Sequence, residues 1–287
     1  MAKTESILIA PLPKSLAKFG IPIAAFLLTT FFILLDFPYH HLTNRITAGA
    51  GQALGVEIEA ANSGLTFGLD GIGFRFKDVR VETPIGDVYD LDFARFGAGW
   101  STSWFFATPT VFFEIDSSFG HARGTIRMDA DASGSGSIAG ARIGELSFLD
   151  ELLPVEITGT LDAEGNIETT DDVSQGGLSF DLKDGSISHP GMPIEVPFET
   201  IHGLFVFGGE QFLSVEEFDL LGPVLNFSAS GTVGHGEAIG DRALDLDIEF
   251  KDVAPQMRSM IELLGVSVKR DGRAKLHIGG SISQPEM

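Results

Sequence analysis

The chain contains no cysteine, and this absence removes three kinds of chemistry at once. A protein without thiols forms no disulfide, offers no thiolate to a metal and has no cysteine nucleophile. In an oxidising compartment its stability must therefore come from an ordinary core. The sequence has the material for one, since 44% of its 287 residues are apolar and 24 are phenylalanine.

Basic residues are also scarce, with 19 Lys and Arg against 40 Asp and Glu, for a formal net charge of −21. Residues 1–18 carry a net charge of +2, so the remainder carries −23. Such a body repels the phosphates of nucleic acids and anionic lipid headgroups. We therefore expect no nucleic-acid partner.

Motifs for catalysis are missing as well. The chain has no G-x-S-x-G elbow and no P-loop, and its seven histidines form no H-x₃-H or HExxH arrangement. Asp129 to Gly134 begins like a calcium loop, but Gly140 stands where that loop needs a bidentate Glu, so a hairpin is favoured. The glycines of 134–140 lack the dinucleotide-binding spacing. We predict a protein that is not an enzyme and has no metal or cofactor.

One long apolar run stands near the N-terminus. Phe19 to Leu35 holds seventeen residues without a charge, between Lys18 and Asp36. A helix of about 17–25 apolar residues is needed to span a bilayer core, so the run predicts a transmembrane helix. A cleaved signal peptide and a buried core helix are the alternatives. The predicted anchor residues are Phe19, Ile23, Phe26, Leu27, Phe31, Phe32 and Leu35.

The flanks of this run predict its orientation. Lys3, Lys14 and Lys18 precede it, and short basic flanks stay on the cytoplasmic side. No small-x-small cleavage site follows Leu35 directly, which favours an uncleaved anchor. We predict a cytoplasmic tail (1–18), a transmembrane helix (19–35), a juxtamembrane amphipathic helix (36–55) and a periplasmic β domain (56–287). If that domain has two lobes, the acidic stretch 168–177 is their candidate boundary.

From Val56 onward, apolar residues alternate with polar ones as in half-buried strands. The pattern predicts a mainly β fold, a large, curved, Gly-rich antiparallel sheet with one apolar face, and the 35 glycines fit its turns and bends. A break in the alternation at Lys77-Asp78 predicts a bulge or a turn. The clearest alternating segments are Val56–Ala60, Ile72–Phe76, Tyr89–Phe93, Val155–Leu161, Leu225–Val233, Leu244–Phe250 and Ala274–Ile278.

Helical periodicity appears in four short segments. His41–Gly55 repeats apolar residues every four positions, and Ala254–Leu264 has them at helical spacing between a proline and a glycine. Ser101–Phe106 and Arg142–Leu153 are the other two predicted helices. The Ser/Gly-rich stretch Ala132–Gly140 is interpreted as a linker.

Two groups of residues are candidates for contact with a partner or a lipid. Trp100, Trp104 and Phe105 either seal one end of the sheet or form a lipid-facing mouth or docking wedge. A second group would share the apolar face of the sheet, and it either builds an ordinary core or lines a groove for acyl chains. The residues of this second group are Phe74, Phe76, Phe93 and Leu246.

The order of these features resembles the GspN family, the inner-membrane N component of type II secretion systems. The matching features are the single N-terminal anchor, Phe37-Pro38-Tyr39 leading into the Leu42–Ile46 helix, a Gly-rich β body, and a last strand closing through Gly279–Pro285. The wider resemblance is to AsmA-type membrane-anchored β proteins, some of which are implicated in lipid movement across the periplasm through a β-groove. No catalytic residues follow from either resemblance.

The resemblance implies a non-enzymatic, single-pass protein of the bacterial inner membrane whose bulk is periplasmic. Its expected partners are the inner membrane and other secretion-system proteins, reached by protein–protein interaction. The alternative is an AsmA-like module that binds or transfers phospholipid in a Phe-lined β-groove. Anchored, acidic and Phe-rich sheets suit both roles.

Overall fold

A computed structural model describes residue 26, residues 28–29 and residues 39–286, with gaps at 69, 85, 101–107, 128–131, 147–154, 171–172, 189–194, 210, 237 and 264. The chain divides into two compact units, Met1–Arg45 and Ile46–Met287. Among the described residues, two α-helices have both ends in place, α1 (Tyr39–Leu54) and α2 (Pro255–Leu263). The strands are β1 (Glu57–Phe67), β2 (Gly71–Glu82), β3 (Val88–Gly99), β4 (Thr110–Ser117), β5 (Gly120–Arg127), β6 (Ser133–Arg142), β7 (Glu156–Ile157), β8 (Thr160–Thr170), β9 (Val173–Ser188), β10 (Val196–Gly208), β11 (Gln211–Leu221), β12 (Leu225–Val233), β13 (Leu244–Val253), β14 (Ala274–Gly280) and β15 (Pro285–Glu286).

All fifteen strands belong to one antiparallel sheet in which nearly every strand pairs with its neighbours in sequence. The exception is the two-residue β7, which pairs with β9 and lies off the main path. Among the described residues β1 pairs only with β2, and β15 only with β14, so the sheet is open at both ends. The prediction of a mainly β fold with a large antiparallel sheet is confirmed.

The break predicted near Lys77-Asp78 is present. Asp78 has a left-handed φ of 51° and is skipped in the pairing of β2 with both of its neighbours. Phe76, before Asp78, and Val79, after it, are both buried. Few side chains other than Asn, Asp and Gly adopt this φ at low cost, which suits an aspartate here.

Phe93 does not share a face with Phe74 and Phe76, so its predicted placement is wrong. It pairs with Lys77 and Asp116, and the guanidinium of Arg75 lies 4.2 Å from its ring centre. The cause is a register shift between Leu91 and Phe93, opposite the irregular Asp78, which changes the phase of the alternation. A strict period of two counted from Tyr89 does not include this shift and therefore places Phe93 on the wrong face.

Two of the predicted helices exist. Helix α1 matches the predicted 41–55 segment and is followed by Gly55 with a φ of 70°, the left-handed conformation common at helix C-termini. Helix α2 matches the predicted 254–264 segment. The helix predicted from Arg142 is wrong at its start, where a 3₁₀ turn over Ile143–Glu145 follows β6, and its later residues lie outside the described part, as does Ser101–Phe106.

The two predicted linkers are also corrected. The segment Ala132–Gly140 is almost entirely strand β6, paired to β5 and β8. The acidic stretch 168–177 forms the facing ends of β8 and β9, where Thr170 pairs with Val173. The sheet and the unit Ile46–Met287 continue through this hairpin, so the stretch is not a linker, and the division of the chain into domains stays a prediction.

Among the described residues, two clusters of buried side chains lie on one face of the sheet. In the first, Met257 and Ile261 of α2 pack on β13 and β14, and both are at least 96% buried. In the second, Leu182, Ile201 and Leu220 meet across β9, β10 and β11. Burying one such side chain contributes about 1.5–3 kcal/mol, so these clusters fix which face of the sheet is internal.

The predicted anchor lies almost wholly outside the described residues. Phe26, Leu28 and Thr29 are helical, and the side chains of Phe26 and Leu28 are exposed. Within the part of the chain that the structure describes, no helix is both long and apolar enough to cross a bilayer. The transmembrane helix therefore stays a prediction.

Candidate apolar binding site

The sheet has one apolar and one polar face, and its register separates them. Ile201 of β10 pairs with Leu182 and Leu220, whereas the next residue, His202, pairs with Asp181 and Asp219. Paired residues of an antiparallel sheet lie on the same face. The same alternation continues into β13, where Asp245, Asp247 and Glu249 are exposed between half-buried Leu246 and Ile248.

Phenylalanines concentrate in two clusters on the apolar face. In β2 and β3, the rings of Phe76 and Phe96 stack with centres 5.3 Å apart, and Phe74 lies 6.3 Å from Phe96. The second cluster runs across β9 to β13, with neighbouring ring centres 5.8–6.5 Å apart. Its members are Phe180, Phe205, Phe218, Phe227 and Phe250.

Several other apolar-face positions are glycines that a phenylalanine ring covers from the neighbouring strand. A Cβ atom added to Gly124 would lie 2.5 Å from the Phe113 ring, and one added to Gly176 would lie 2.5 Å from the Phe207 ring. Real Cβ atoms do not approach so closely, so these rings occupy the space that a side chain would need. These phenylalanines therefore pack onto glycine instead of projecting from the sheet.

Three glycines between the two phenylalanine clusters are not covered in this way. Added Cβ atoms at Gly134, Gly136 and Gly165 would have no neighbour closer than 3.4 Å. Gly134 pairs with Ile126 and Ile167, while Gly136 pairs with Gly124 and Gly165. Three adjoining positions on β6 and β8 therefore lack any side chain.

These glycines form the floor of an apolar cavity of about 420 Å³. We call it the glycine trough, and its apolar walls are Phe113, Ile126, Ile167, Leu178 and Phe207. Three of the walls are unusually accessible for aliphatic side chains, since Ile126, Ile167 and Leu178 are 43%, 42% and 39% exposed. Volumes of about 300–1,000 Å³ are typical of small-molecule sites.

Among the described residues, the elements that cover the apolar face lie away from the trough. Helix α2 packs over β13 and β14, and Ile143 and Ile157 pack on the cluster around Leu182. Neither core cluster includes a residue of β5. Within the described part of the chain, both core clusters therefore lie toward the later strands and leave the trough uncovered.

The polar face is held by cross-strand ion pairs. Asp162 of β8 receives hydrogen bonds of 2.9 Å from Lys183 Nζ and from the Gly140 N–H. Both bonds stabilise the carboxylate, the Gly140 bond most, and they hold the pKa of Asp162 below its ordinary value. The hydrogen bond between Lys183 and Asp162 also raises the pKa of Lys183. Lys251 makes a similar pair with Asp219 at 3.0 Å, and His202 Nδ1 lies at hydrogen-bond distance, 2.9 Å, from Asp181.

The predicted contact residues are dispersed. Phe76 is 97% buried in the first phenylalanine cluster, and Phe74 is half-buried beside it. Leu246 is half-buried on the apolar face between Gly231 and Ile278. Phe93 lies on the opposite face. None of these four residues lines the glycine trough.

Trp100 stands at the end of β3 with a side chain that is 62% exposed. Its indole N–H donates a hydrogen bond of 2.9 Å to the Gly68 carbonyl, which holds the ring in place. Trp104 and Phe105 lie outside the described residues, so the proposed aromatic cluster is represented here by Trp100 alone.

Sequence reasoning missed the trough because its strands have no apolar alternation. Strand β6 begins Ser-Gly-Ser-Gly-Ser, which was interpreted as a flexible linker. Yet serine and glycine alternate there with period two, and this period places serine on one face and glycine on the other. That alternation was the available signal.

Comparison of the chain with protein-family models, with curated proteins and with solved structures finds no match. The fold and the site therefore define a class only in structural terms, an open antiparallel sheet with an accessible apolar trough. Any function must be argued from that geometry.

Proposed function

We propose that this protein binds acyl chains of lipids at the bacterial inner membrane, with the glycine trough as the binding site. The observation that carries the proposal is the trough itself, three side-chain-free positions ringed by exposed Ile126, Ile167 and Leu178. Exposed apolar surface costs free energy in water at about 25 cal/mol per Å². Contiguous apolar patches on the water-exposed surface of a protein therefore commonly mark a binding site.

The chemistry of the trough favours a hydrocarbon chain over a polar ligand. Its walls are aliphatic and aromatic side chains, and its lining, which also includes Thr125, Ser135 and Asn166, contains no charged residue. The glycine floor lets a flexible chain approach the backbone closely, as glycine does at many ligand sites. The role is binding, with no catalytic step.

Membrane attachment supports the same proposal. The predicted anchor, Phe19–Leu35, would place the sheet beside a bilayer and so raise the local concentration of lipid. The resemblance to AsmA-type proteins agrees with this role. The acidic polar face would repel anionic headgroups, so affinity must come from the acyl chain.

A diazirine-bearing palmitate added to membranes that contain the full chain tests the proposal. Trypsin cleavage after Arg127, Arg142 and Lys183 would place the glycine floor, Ile167 and Leu178 in peptides 128–142 and 143–183, while Phe113, Ile126 and Phe207 lie in other peptides. We expect label in both of these peptides, and also in the predicted anchor. The double variant Gly136→Val/Gly165→Val fills the trough and should lose the label in the trough peptides while keeping it in the anchor.

Gly177→Val is the matched control. Gly177 contributes backbone to the trough lining, but a Cβ added there lies on the polar face of β9 beside Asn166 and has no neighbour closer than 3.4 Å. This variant should label like wild type. Equal labelling of the trough peptides in the filled variant, or no labelling of them in wild type, would refute acyl-chain binding in the trough.

A second candidate function is that of an interaction subunit of the type II secretion machinery. The observation that favours it is the edge of β1, eleven residues long and paired on one side only among the described residues. Such an edge accepts an added strand from a partner. A photocrosslinking residue at Asn62, in the middle of β1, should then form adducts with secretion-system proteins, and their absence would count against this role.

A further inference from the structure

The polar face carries a second cavity directly behind the glycine trough. Two cross-strand rows lie side by side there: Arg123–Ser137–Glu164–Ser179 and Thr125–Ser135–Asn166–Gly177. Between the longer side chains of β5 and β8, β6 contributes only Ser135 and Ser137. We call this depression the serine groove.

The serine groove is large enough for an extended ligand. It holds a cavity of about 640 Å³, and an adjoining cavity of about 590 Å³ shares Arg123, Ser137, Glu164 and Ser179 with it. The lining runs from Phe112 of β4 to Leu204 of β10. With strands about 4.8 Å apart, these six neighbouring strands extend over roughly 24 Å.

Most charges around the groove are already paired. Arg95 lies 3.3 Å from Asp70 and 3.5 Å from Glu114, and Asp162 is paired with Lys183. Within the described part of the chain, three or more His, Asp or Glu side chains nowhere gather as a metal would require. A free anion would meet mostly carboxylates, and a metal ion would find too few ligands.

The remaining groups are hydrogen-bonding ones. Arg123 Nε donates to Ser137 Oγ at 3.2 Å, and the hydroxyls of Thr125 and Ser135 lie 3.1 Å apart. The side chains of Glu164, Asn166 and Ser179 make no hydrogen bond or ion pair with any described residue. The groove therefore offers a carboxylate acceptor, an amide that both donates and accepts, and a hydroxyl, all without partners.

We propose that the serine groove binds a neutral carbohydrate chain. Sugar hydroxyls both donate and accept hydrogen bonds, so they match a lining in which carboxylate, amide, guanidinium and hydroxyl groups alternate. Leu204, which is 37% exposed at one end of the groove, supplies an apolar contact for the C–H face of a sugar ring. The length of the groove favours an oligosaccharide over a monosaccharide.

Calorimetry on the full chain tests this proposal, in a zwitterionic detergent that carries no sugar headgroup. The probes are cellohexaose, chitohexaose and maltohexaose, with spermine and inorganic phosphate as charged comparisons. We expect at least one hexasaccharide to bind with a dissociation constant of about 1 mM or tighter. Asn166→Ala should weaken that binding by about tenfold, because the sugar then loses a hydrogen-bonding partner.

Gly177→Val is a second variant that adds bulk to the groove instead of removing a polar group, and it should also weaken sugar binding. Gly136 and Gly165 contribute backbone to the groove as well, but side chains added there lie on the opposite face, so Gly136→Val/Gly165→Val should bind sugar like wild type. The proposal is overturned if no hexasaccharide binds, if both groove variants bind as wild type does, or if only spermine or phosphate binds. None of these results depends on whether the glycine trough holds an acyl chain.

Discussion

Glycine residues play two different roles on the apolar face of this sheet, and their neighbours distinguish the roles. Gly176 has no room for a side chain, because an added Cβ would collide with the Asn166 carbonyl and the Phe207 ring. Gly136 and Gly165 have room, yet they carry no side chain. Glycine in a strand interior is destabilising by roughly 0.5–1 kcal/mol relative to alanine. Gly136 and Gly165 therefore lower the stability of the fold. A binding surface that needs these two glycines would explain why the lower stability is kept.

The first prediction follows from this difference. Gly136→Val and Gly165→Val should each raise the free energy of unfolding by about 0.5–1 kcal/mol, since valine restricts the unfolded chain and suits a strand. Gly176→Val should lower it by about 1–3 kcal/mol through overpacking. Urea unfolding followed by circular dichroism measures all three. Destabilisation by the first two variants would mean that the trough is filled in the folded protein.

The Asp162–Lys183 pair leads to a second prediction, about pH. Since the pKa of Asp162 is lowered on folding from its ordinary 3.8, the carboxylate stabilises the fold at pH values above 3.8. That contribution is lost as the pH falls through the lowered folded pKa. Both side chains are about half exposed, so the contribution is less than about 1 kcal/mol.

Asp162→Asn therefore should be less stable than wild type at neutral pH, and the difference should shrink below pH 3.8. Thermal unfolding of the two proteins across pH provides the measurement. A difference that stays constant down to pH 2, or one that grows, would show that the charge of the Asp162 carboxylate, bonded to the Gly140 N–H and to Lys183, is not its cause.

At the scale of elements, helix α2 determines how much of the apolar face is covered. Met257 is 99% buried against β13 and β14. Met257→Ala should lower the free energy of unfolding by about 2–5 kcal/mol, because it leaves a cavity in the core cluster. Glu262→Ala, at an exposed position of the same helix, is the control and should change it by less than about 0.5 kcal/mol. Equal effects of the two changes in urea unfolding would refute this packing.

Elements with strong local signals were predictable from sequence. Helix α2 has a proline at its first position, helical apolar spacing and a following Gly265, and each signal acts within a few residues. Strands β12 to β14 alternate apolar residues with polar ones, which are Asn, Ser and Thr in β12, mainly acids in β13, and Lys and His in β14, so their faces could be assigned as well. In these segments the local pattern and the tertiary packing agree.

Strand β6 and Phe93 were not predictable in the same way. Serine and glycine carry weak strand propensity, and β6 is a strand because β5 and β8 pair with it on both sides. The side taken by Phe93 depends on a register shift against β4, which is a property of two strands together. The candidate site lies where such non-local pairing decides the structure, and this explains why sequence analysis placed its residues elsewhere.

At the scale of the whole sheet, one region carries only small side chains from β6 on both the polar and the apolar face. Strand β6 gives glycine to the trough and serine to the groove, so neither side of the sheet is filled by large side chains there. The phenylalanine clusters on β2–β3 and on β9–β13 pack the apolar face on either side of it. The account therefore places binding in the middle of the sheet, between two packed flanks.

The most direct test of this account is photocrosslinking in intact cells, with a benzophenone amino acid at Ile167 and a control at Thr200 on the polar face of β10. Mass spectrometry of the products identifies what each probe touches. The account predicts phospholipid adducts at Ile167, their loss when Gly136→Val is added, and no lipid adducts at Thr200. Protein adducts without lipid at Ile167, or equal lipid labelling at both positions, would contradict acyl-chain binding in the glycine trough.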